Sequence, residues 1–275
     1  MPLDPRHYQI AILAALLGYG IFALDFDVTL GSVAAVLSAA LAAQWLASRI
    51  IGLPMEWRSA MISGLSLCLL CRAGSWWLAP LAAFIAIASK FLLRFRNKHL
   101  FNPTAFALVL LMLVTDGRVW VSPGQWGNVA FFAFLLACLG GLIVMRAART
   151  DVTLAFLAAW IALIVGRSLW LHEPMTIPIH RLQSGALLLF TFFMISDPRT
   201  TPDSRAGRLV FATLIALGGW WWQFLMYGTN GPLWALVACS LLTPLIDHLL
   251  PAGRYQWPQR PTQFDSIPSL TASAS

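Results

Sequence analysis

Charge is scarce in this sequence. Of its 275 residues only 11% are Asp, Glu, Lys or Arg, whereas 59% are hydrophobic and the mean hydropathy is +0.74. A soluble domain carries about 25% charged residues, so this chain has too few to coat a surface facing water. Cysteine is sparse as well. Cys68, Cys71, Cys138 and Cys239 all fall inside apolar stretches, which argues against a disulfide framework. No Gly- or Ser-rich linker, phosphate-cradling Gly loop, nucleophile elbow, zinc-ligand spacing or catalytic triad is visible. These deficits exclude a secreted disulfide scaffold, a disordered tail and a soluble enzyme domain. They leave an integral membrane protein of one compact domain. The formal net charge of +7 does not point to nucleic acid, because basic residues collect on the cytoplasmic loops of membrane proteins.

What is present is a succession of apolar runs, at about 8–25, 28–48, 59–71, 75–91, 101–115, 127–145, 152–170, 182–196, 207–225 and 232–250. A bilayer-crossing helix needs about 20 apolar residues, so the shorter runs predict tilted, broken or half-spanning helices. With a cytoplasmic N-terminus, fourteen of the eighteen Lys and Arg fall on inside segments, and only Arg72, Arg118, Arg167 and Arg181 on outside ones. The expectation is an all-α integral membrane fold of about ten transmembrane helices with both termini cytoplasmic. Residues 1–250 form a single transmembrane domain and 251–275 a cytoplasmic tail. Only Arg6 precedes the first run and no small-residue cleavage site follows it, so that run reads as a retained helix. Trp76, Trp77, Trp120, Trp126, Trp170, Trp220, Trp221, Trp222 and Trp234 collect near the outer face, as an aromatic belt or an aromatic-lined entrance.

The two halves echo each other. Ser63-Gly64 corresponds to Ser184-Gly185 at an offset of 121, and Asn102 with Phe106-Ala107-Leu108-Val109 corresponds to Asn230 with Trp234-Ala235-Leu236-Val237 at an offset of 128. Five helices per half would give two inverted repeats, about 8–115 and 127–250, with a site at the midplane. Short matches among Ala, Leu and Val also arise by chance. Asn102 before Pro103 reads as an N-cap with Pro at the first helical position, and Asn230-Gly231-Pro232 as its counterpart from the opposite face. Two such inward helix starts would offer free N–H groups to an anion or a polar cofactor edge. Ser-Gly in mid-helix admits a second backbone or a flat ring. Plain capping and plain packing account for the same residues.

The loop from Asp197 to Arg208 is the richest polar constellation. Thr201 is expected to cap a helix beginning at Pro202, with Asp203 in its first turn. Asp197 and Asp203 can pair with Arg199, Arg205 or Arg208, either to fix the loop or to bind a phosphate. Cys68-Leu69-Leu70-Cys71 has dithiol spacing but sits in an apolar helix with no strand expected beside it. It reads as buried small residues, with an intramembrane metal shared with a partner as the alternative. Asp247-His248 reads as an interfacial pair or a proton relay. Asp151, Arg72 and Arg167 read as boundary markers.

Two segments carry a family resemblance. His99-Leu100-Phe101-Asn102-Pro103-Thr104-Ala105-Phe106, and Ser184-Gly185 leading into Phe192-Phe193-Met194-Ile195-Ser196-Asp197-Pro198-Arg199-Thr200-Thr201-Pro202, resemble the most characteristic segments of the RnfD/NqrB family. Members are membrane subunits of ion-translocating electron-transport complexes. The likeness runs from about residue 55 to 250. The segment Trp120-Val121-Ser122-Pro123-Gly124-Gln125-Trp126-Gly127 is similar to the short stand-alone UnbU-type members of enediyne biosynthesis clusters. The resemblance implies ten helices in two inverted five-helix repeats, similar to urea transporters. It also implies flavin, which the complex subunits carry as FMN esterified to the Thr of a Ser-Gly-Ala-Thr motif after the fifth helix. Here that loop reads Thr115-Asp116-Gly117-Arg118-Val119-Trp120-Val121-Ser122-Pro123-Gly124, and Ser184-Gly185-Ala186 is followed by Leu187, which has no hydroxyl. Covalent FMN is therefore not expected, and noncovalent FMN or riboflavin is the most that the resemblance implies.

The candidate cofactor-binding residues are Ser63, Gly64, Asn102, Pro103, Ser184, Gly185, Asp197, Pro198, Thr200, Thr201 and Asn230, with no catalytic residue and no metal ligand. The expected protein is an electron-transport subunit of a bacterial inner membrane that works with other membrane redox subunits. A transporter or channel for a small solute is the alternative, and a scaffold for a membrane-associated biosynthetic complex is a third reading.

Overall fold

The structure is a computed structural model, and it describes residues 5–96, 98–122, 131, 134–135, 137–139 and 150–253. The first apolar runs become α1 (Pro5–Ala23), α2 (Leu30–Ile51), α3 (Trp57–Leu70), α4 (Leu78–Leu92) and α5 (Pro103–Val114). After the run at 127–145, which lies mostly outside the described residues, come α6 (Thr150–Trp170) and α7 (Thr176–Leu182). They are followed by α8 (Gly185–Leu189, continued by a π turn over Phe190–Met194), α9 (Arg205–Phe224), α10 (Gly231–Ser240) and α11 (Thr243–Leu249). Of the described helices, α2 and α6 are by themselves long and apolar enough to cross a membrane. Two further spans count if each bent pair is one: α7 with α8, bent by 50°, and α10 with α11, bent by 56°. Helices α3, α4 and α5 are shorter apolar helices of 14, 15 and 12 residues.

Packing follows residue size. In the first half α2 lies against α3 and α4, and α4 against α5. The buried face of α4 carries Ala82, Ala83 and Ala86, and that of α2 carries Ala40 and Ala43, so the backbones approach closely, as small residues allow in membranes. In the second half α6 lies against α9, and α9 against α10. Val152, Phe156, Trp160, Ile164 and Ser168 recur every fourth residue as the buried stripe of α6. It meets a face of α9 that includes Phe211, Ala212, Ile215 and Ala216. Helices α5 and α10 pack together and join the halves. Leu154, Ile161 and Leu169 on α6, and Leu209, Val210, Leu214, Leu217 and Trp221 on α9, remain exposed. Apolar area on that scale suits lipid rather than water.

The fold is mostly helical, as expected, and two small antiparallel strand pairs join the helices. Strand β1 (Cys71–Ala73) pairs with β4 (Val119–Val121), and β2 (Arg94–Phe95) with β3 (Lys98–His99). Short loops between helix ends leave backbone N–H and C=O groups unpaired, and these ladders satisfy them. Cys71 thus opens a strand, contrary to the expectation that no strand lies beside Cys68-Leu69-Leu70-Cys71. Both thiols are buried and free.

Polar boundary residues are mostly paired. Arg167 donates to Glu173 at 2.6 Å and Ser168 to the same carboxylate at 2.9 Å. These bonds hold Glu173 below the ordinary carboxylate range. Arg72 donates to the Cys68 and Cys71 carbonyls, at 3.2 and 2.9 Å. Trp76, Trp77, Trp120, Trp170 and Trp221 are exposed, whereas Trp220, Trp222 and Trp234 are half-buried and Trp126 lies outside the described residues.

Candidate functional site

Polar residues at helical spacing on the first four helices face a common cavity of about 200 Å³. Ser59, Ile62, Ser63 and Ser66 stand at i, i+3, i+4 and i+7 and so form one stripe along α3. Gln44 and Ser48 of α2, Arg6 and Gln9 of α1, Lys90 and Phe91 at the end of α4, and Arg94 of β2 complete that side. The start of α5 contributes Asn102, Pro103 and Thr104. The opposite wall is Phe192, Phe193 and Met194 of the π turn with Ser196, Asp197, Pro198 and Arg199 after it. Irregular backbone at membrane depth is tolerated where it lines a cavity, and π turns are frequent at functional sites.

Asn102 locks the two walls together. Its side chain accepts from Ala105 N at 3.1 Å, capping α5 as expected, and donates to the Met194 carbonyl at 3.2 Å. The capping half was legible from Asn-Pro, whereas the bond across 92 residues was not.

Five of the eleven candidates, Ser63, Asn102, Pro103, Asp197 and Pro198, line this cavity. The other six do not. Gly64 faces α2, where an added Cβ would meet Leu37 at 2.8 Å, so it serves helix packing. Ser184 and Gly185 are not in mid-helix as expected: Ser184 caps α8 by accepting from Leu187 N, and Gly185 is the first helical residue, just after the bend. Thr201 does not cap a helix at Pro202. The hydroxyls of Thr200 and Thr201 both donate to the Asp197 carbonyl at 3.2 Å, and the cap of α9 is Ser204, three residues later. A turn closed by threonine bonds competes with helix initiation there. Asn230 stands at the N-cap of α10 in the left-handed region (φ +56°) and its side chain makes no capping bond.

The charge partners also differ from those expected. Arg208 pairs with Asp151 at 2.5 Å, and Lys98 lies between Asp247 at 2.7 Å and Asp203 at 3.2 Å. Asp247 also accepts from Asp203 N at 2.7 Å, which makes it an anchor for the loop. Ser59, Ser66, Gln44, Ser48 and Lys90 were missed by sequence reasoning. Their signal was a run of polar side chains on one face of otherwise apolar helices.

Inside this site the hydrogen bonding is incomplete. Gln44 is 3% exposed and donates to Ser48 at 3.3 Å, but its Oε1 has no partner among the described residues. His99 is 8% exposed, its Nε2 lies 3.4 Å from the Arg199 guanidinium, and its Nδ1 is unpartnered among the described residues. A guanidinium only donates, so the contact of Nε2 with Arg199 calls for the tautomer that carries its proton on Nδ1. Buried polar groups are ordinarily satisfied, so this donor and acceptor are open to a ligand.

Burial, reinforced by the positive charges of Arg199, Arg94 and Lys90, pushes His99 down from 6.5 to about 3. The unfolded chain therefore binds a proton between about pH 6.5 and 3 that the folded chain refuses. Stability from this residue is complete above pH 6.5 and is lost as pH falls toward 3. Thermal unfolding of detergent-purified protein should become shallower in its pH dependence over that window in His99→Gln. An unchanged slope would contradict the assignment.

A helical membrane protein with a polar cavity between its two halves is the class that this geometry defines. The family model described as NQR2, RnfD, RnfE family matches residues 114–256, and the chain belongs to that family. It is 34% identical over 128 residues to an ion-translocating oxidoreductase complex subunit of Escherichia coli O1:K1, and equally to the corresponding protein of Shigella boydii serotype 18. The alignment covers 45% of this chain and 34% of each relative, so it spans about a third of the length of the curated relatives.

Proposed function

We propose that this protein is a membrane electron-transport subunit that binds a flavin noncovalently in the cavity between α3, α5 and the Phe192–Arg199 segment. One observation carries the reading: the open Gln44 acceptor and His99 donor line the same cavity as Ser63 and Asn102. Such groups suit the polar edge of an isoalloxazine, and Phe91, Phe192 and Phe193 supply flat apolar surface. The volume lies below the roughly 300–1,000 Å³ that encloses a whole ligand, so the ring would be only partly enclosed, leaving an edge toward a partner redox subunit. When bound, the flavin supplies the electron-transfer chemistry, and the protein supplies binding, orientation and electrostatics.

The names of the matched relatives favour this reading over a solute transporter. Two inverted repeats totalling ten crossings fit it as well. The packing of α2 on α4 and α4 on α5 recurs as α6 on α9 and α9 on α10, although two of the six candidates outside the cavity, Ser184 and Gly185, sit at a helix start rather than in mid-helix. The distribution of Lys and Arg supports inward-facing termini, and a bacterial inner membrane belongs to the same reading. External labelling of a cysteine placed at Asp116 checks this orientation, and labelling only from inside refutes it.

Purified protein should absorb near about 450 nm, as isoalloxazine does, and acid should release the chromophore completely. Ser63→Leu should lower flavin occupancy at least tenfold in protein that still elutes as a single species. A colourless protein that takes up no added FMN or riboflavin would overturn the proposal.

A further inference from the structure

The thiols of Cys68 and Cys71 take no part in the site between the two halves. They line a second cavity, of about 170 Å³, bounded by the start of α2, the end of α3 and the β1–β4 ladder. Trp76 and Trp120 are exposed at its rim, and Asp27 and Arg72 line its sides. The two cysteines form its floor and are only 4% and 6% exposed.

Cys71 closes the last turn of α3, since its N–H bonds to the Leu67 carbonyl. The thiols therefore stand three residues apart on one helical face, where Cβ atoms are about 5–6 Å apart. A disulfide brings its Cβ atoms to about 3.5–4.5 Å, so forming one would require the turn to shift. One ion shared by two sulfurs fits the spacing as it stands. Among the described residues no group of three or more His, Cys, Asp or Glu is gathered to hold a metal. Two thiols alone do not satisfy zinc, which takes four ligands, nor calcium and magnesium, which take oxygen. Soft thiolates select copper(I), a monovalent ion that two sulfurs are enough to hold.

Burial disfavours a bare thiolate, so both groups stay protonated until an ion displaces their protons. One copper(I) ion and two thiols then give a bis-thiolate complex with one net negative charge, and two protons leave to water. Arg72 is placed to offset that charge. Its Nη1 donates to the Cys68 and Cys71 carbonyls, and its positive charge acts on both sulfurs. A partner protein's thiol or disulfide is too bulky for the floor of so small a cavity, whereas a single ion passes the rim. We propose that Cys68 and Cys71 form a two-thiolate site for copper(I), with Arg72 as its counter-charge. The site is separate from the flavin reading and does not depend on it.

The test uses the full chain in phosphatidylcholine nanodiscs, with Cys138→Ala and Cys239→Ala removing the other thiols. Under anaerobic conditions with ascorbate it is titrated with copper(I) held by a chromophoric chelator. The protein should withdraw one equivalent, release protons as it does so, and leave added zinc(II) in solution. Cys68→Ala and Cys71→Ala should each abolish the withdrawal. Arg72→Gln should weaken it about tenfold, as loss of an outer-shell partner does, and Arg72→Lys should restore most of it. X-ray absorption at the copper edge, on the parent with all four cysteines and one equivalent added, should show two sulfur neighbours. That readout decides the matter even if an alanine variant fails to fold. Failure to withdraw copper(I), or binding that survives both alanine substitutions, would overturn the proposal. Preferential uptake of zinc(II), or three or more sulfur neighbours, would overturn it equally. So would a Cys68–Cys71 disulfide that forms in air while the reduced pair ignores copper(I).

Discussion

Replacement of Arg208 by Ala is expected to cost about 3–5 kcal/mol, the loss typical when one partner of a buried ion pair is removed. Arg208 Nε and Nη2 meet both oxygens of Asp151 at 2.8, 2.9 and 2.5 Å, and Nη1 donates to the Asp203 carbonyl at 2.6 Å. The side chains are only 11% and 16% exposed. The pair ties the first turn of α6 to the first turn of α9, the two helices that form the core of the second half. Removing the guanidinium leaves a carboxylate shielded from water with no other cation paired to it among the described residues, and takes away the donor that Arg208 gives the Asp203 carbonyl. Arg208→Lys should recover little, because an ammonium cannot make the two-pronged contact. The pair Asp151→Leu with Arg208→Met should recover most of the loss, since replacing a buried pair by apolar side chains is often neutral or better. Thermal unfolding of detergent-solubilised protein, followed by tryptophan fluorescence, compares these variants with the parent. A single Arg208→Ala variant within about 1 kcal/mol of the parent, the range of an exposed pair, would show that the pair is not structurally important.

That pair also marks where the sequence stops being informative. Helices α2 and α6 are legible because an apolar run of full length leaves one solution in lipid. The start of α5 is legible because the Asn102–Pro103 cap depends on neighbours within three residues. The partner of Arg208 is 57 residues away and that of Lys98 is 149, and nothing local chooses among several nearby acids. The loop after Asp197 misled for a different, local reason. Thr201 and Ser204 are both good caps, and the turn that Thr200 and Thr201 close on the Asp197 carbonyl leaves the capping to Ser204. The cavity itself was half legible. Asn102, Ser63 and Asp197 stood out singly, but the stripe of Ser59, Ser63 and Ser66 becomes a wall only once α3 is known to face Gln44 and Lys90. The short strands had no periodic signal, being set by which helix ends the fold brings together.

Gly231→Ala should be nearly as damaging as loss of the ion pair, for a steric reason. Helices α9 and α10 meet backbone to backbone. A Cβ added at Gly231 would lie 2.1 Å from the Gly219 carbonyl oxygen, and one at Gly219 would lie 2.8 Å from Pro232 N and 3.0 Å from Gly231 C. These neighbours are main-chain atoms, so no rotamer change relieves the overlap, and the helices must separate. Overpacking of this kind costs typically about 1–3 kcal/mol and sometimes more. In a membrane, close approach is itself a main source of helix association. Separation would also reach the cavity, because α10 packs on α5 and the first turn of α5 holds Asn102 against Met194. Gly231→Ala is therefore expected to lower both the melting temperature and the flavin occupancy. Gly218→Ala, on the facing helix α9, supplies the control: its Cβ would sit 3.4 Å from the Ala235 Cβ, an ordinary contact, and both readouts should stay near the parent values. Equal behaviour of the two variants would mean that α9 and α10 do not approach as closely in the membrane as the glycines permit.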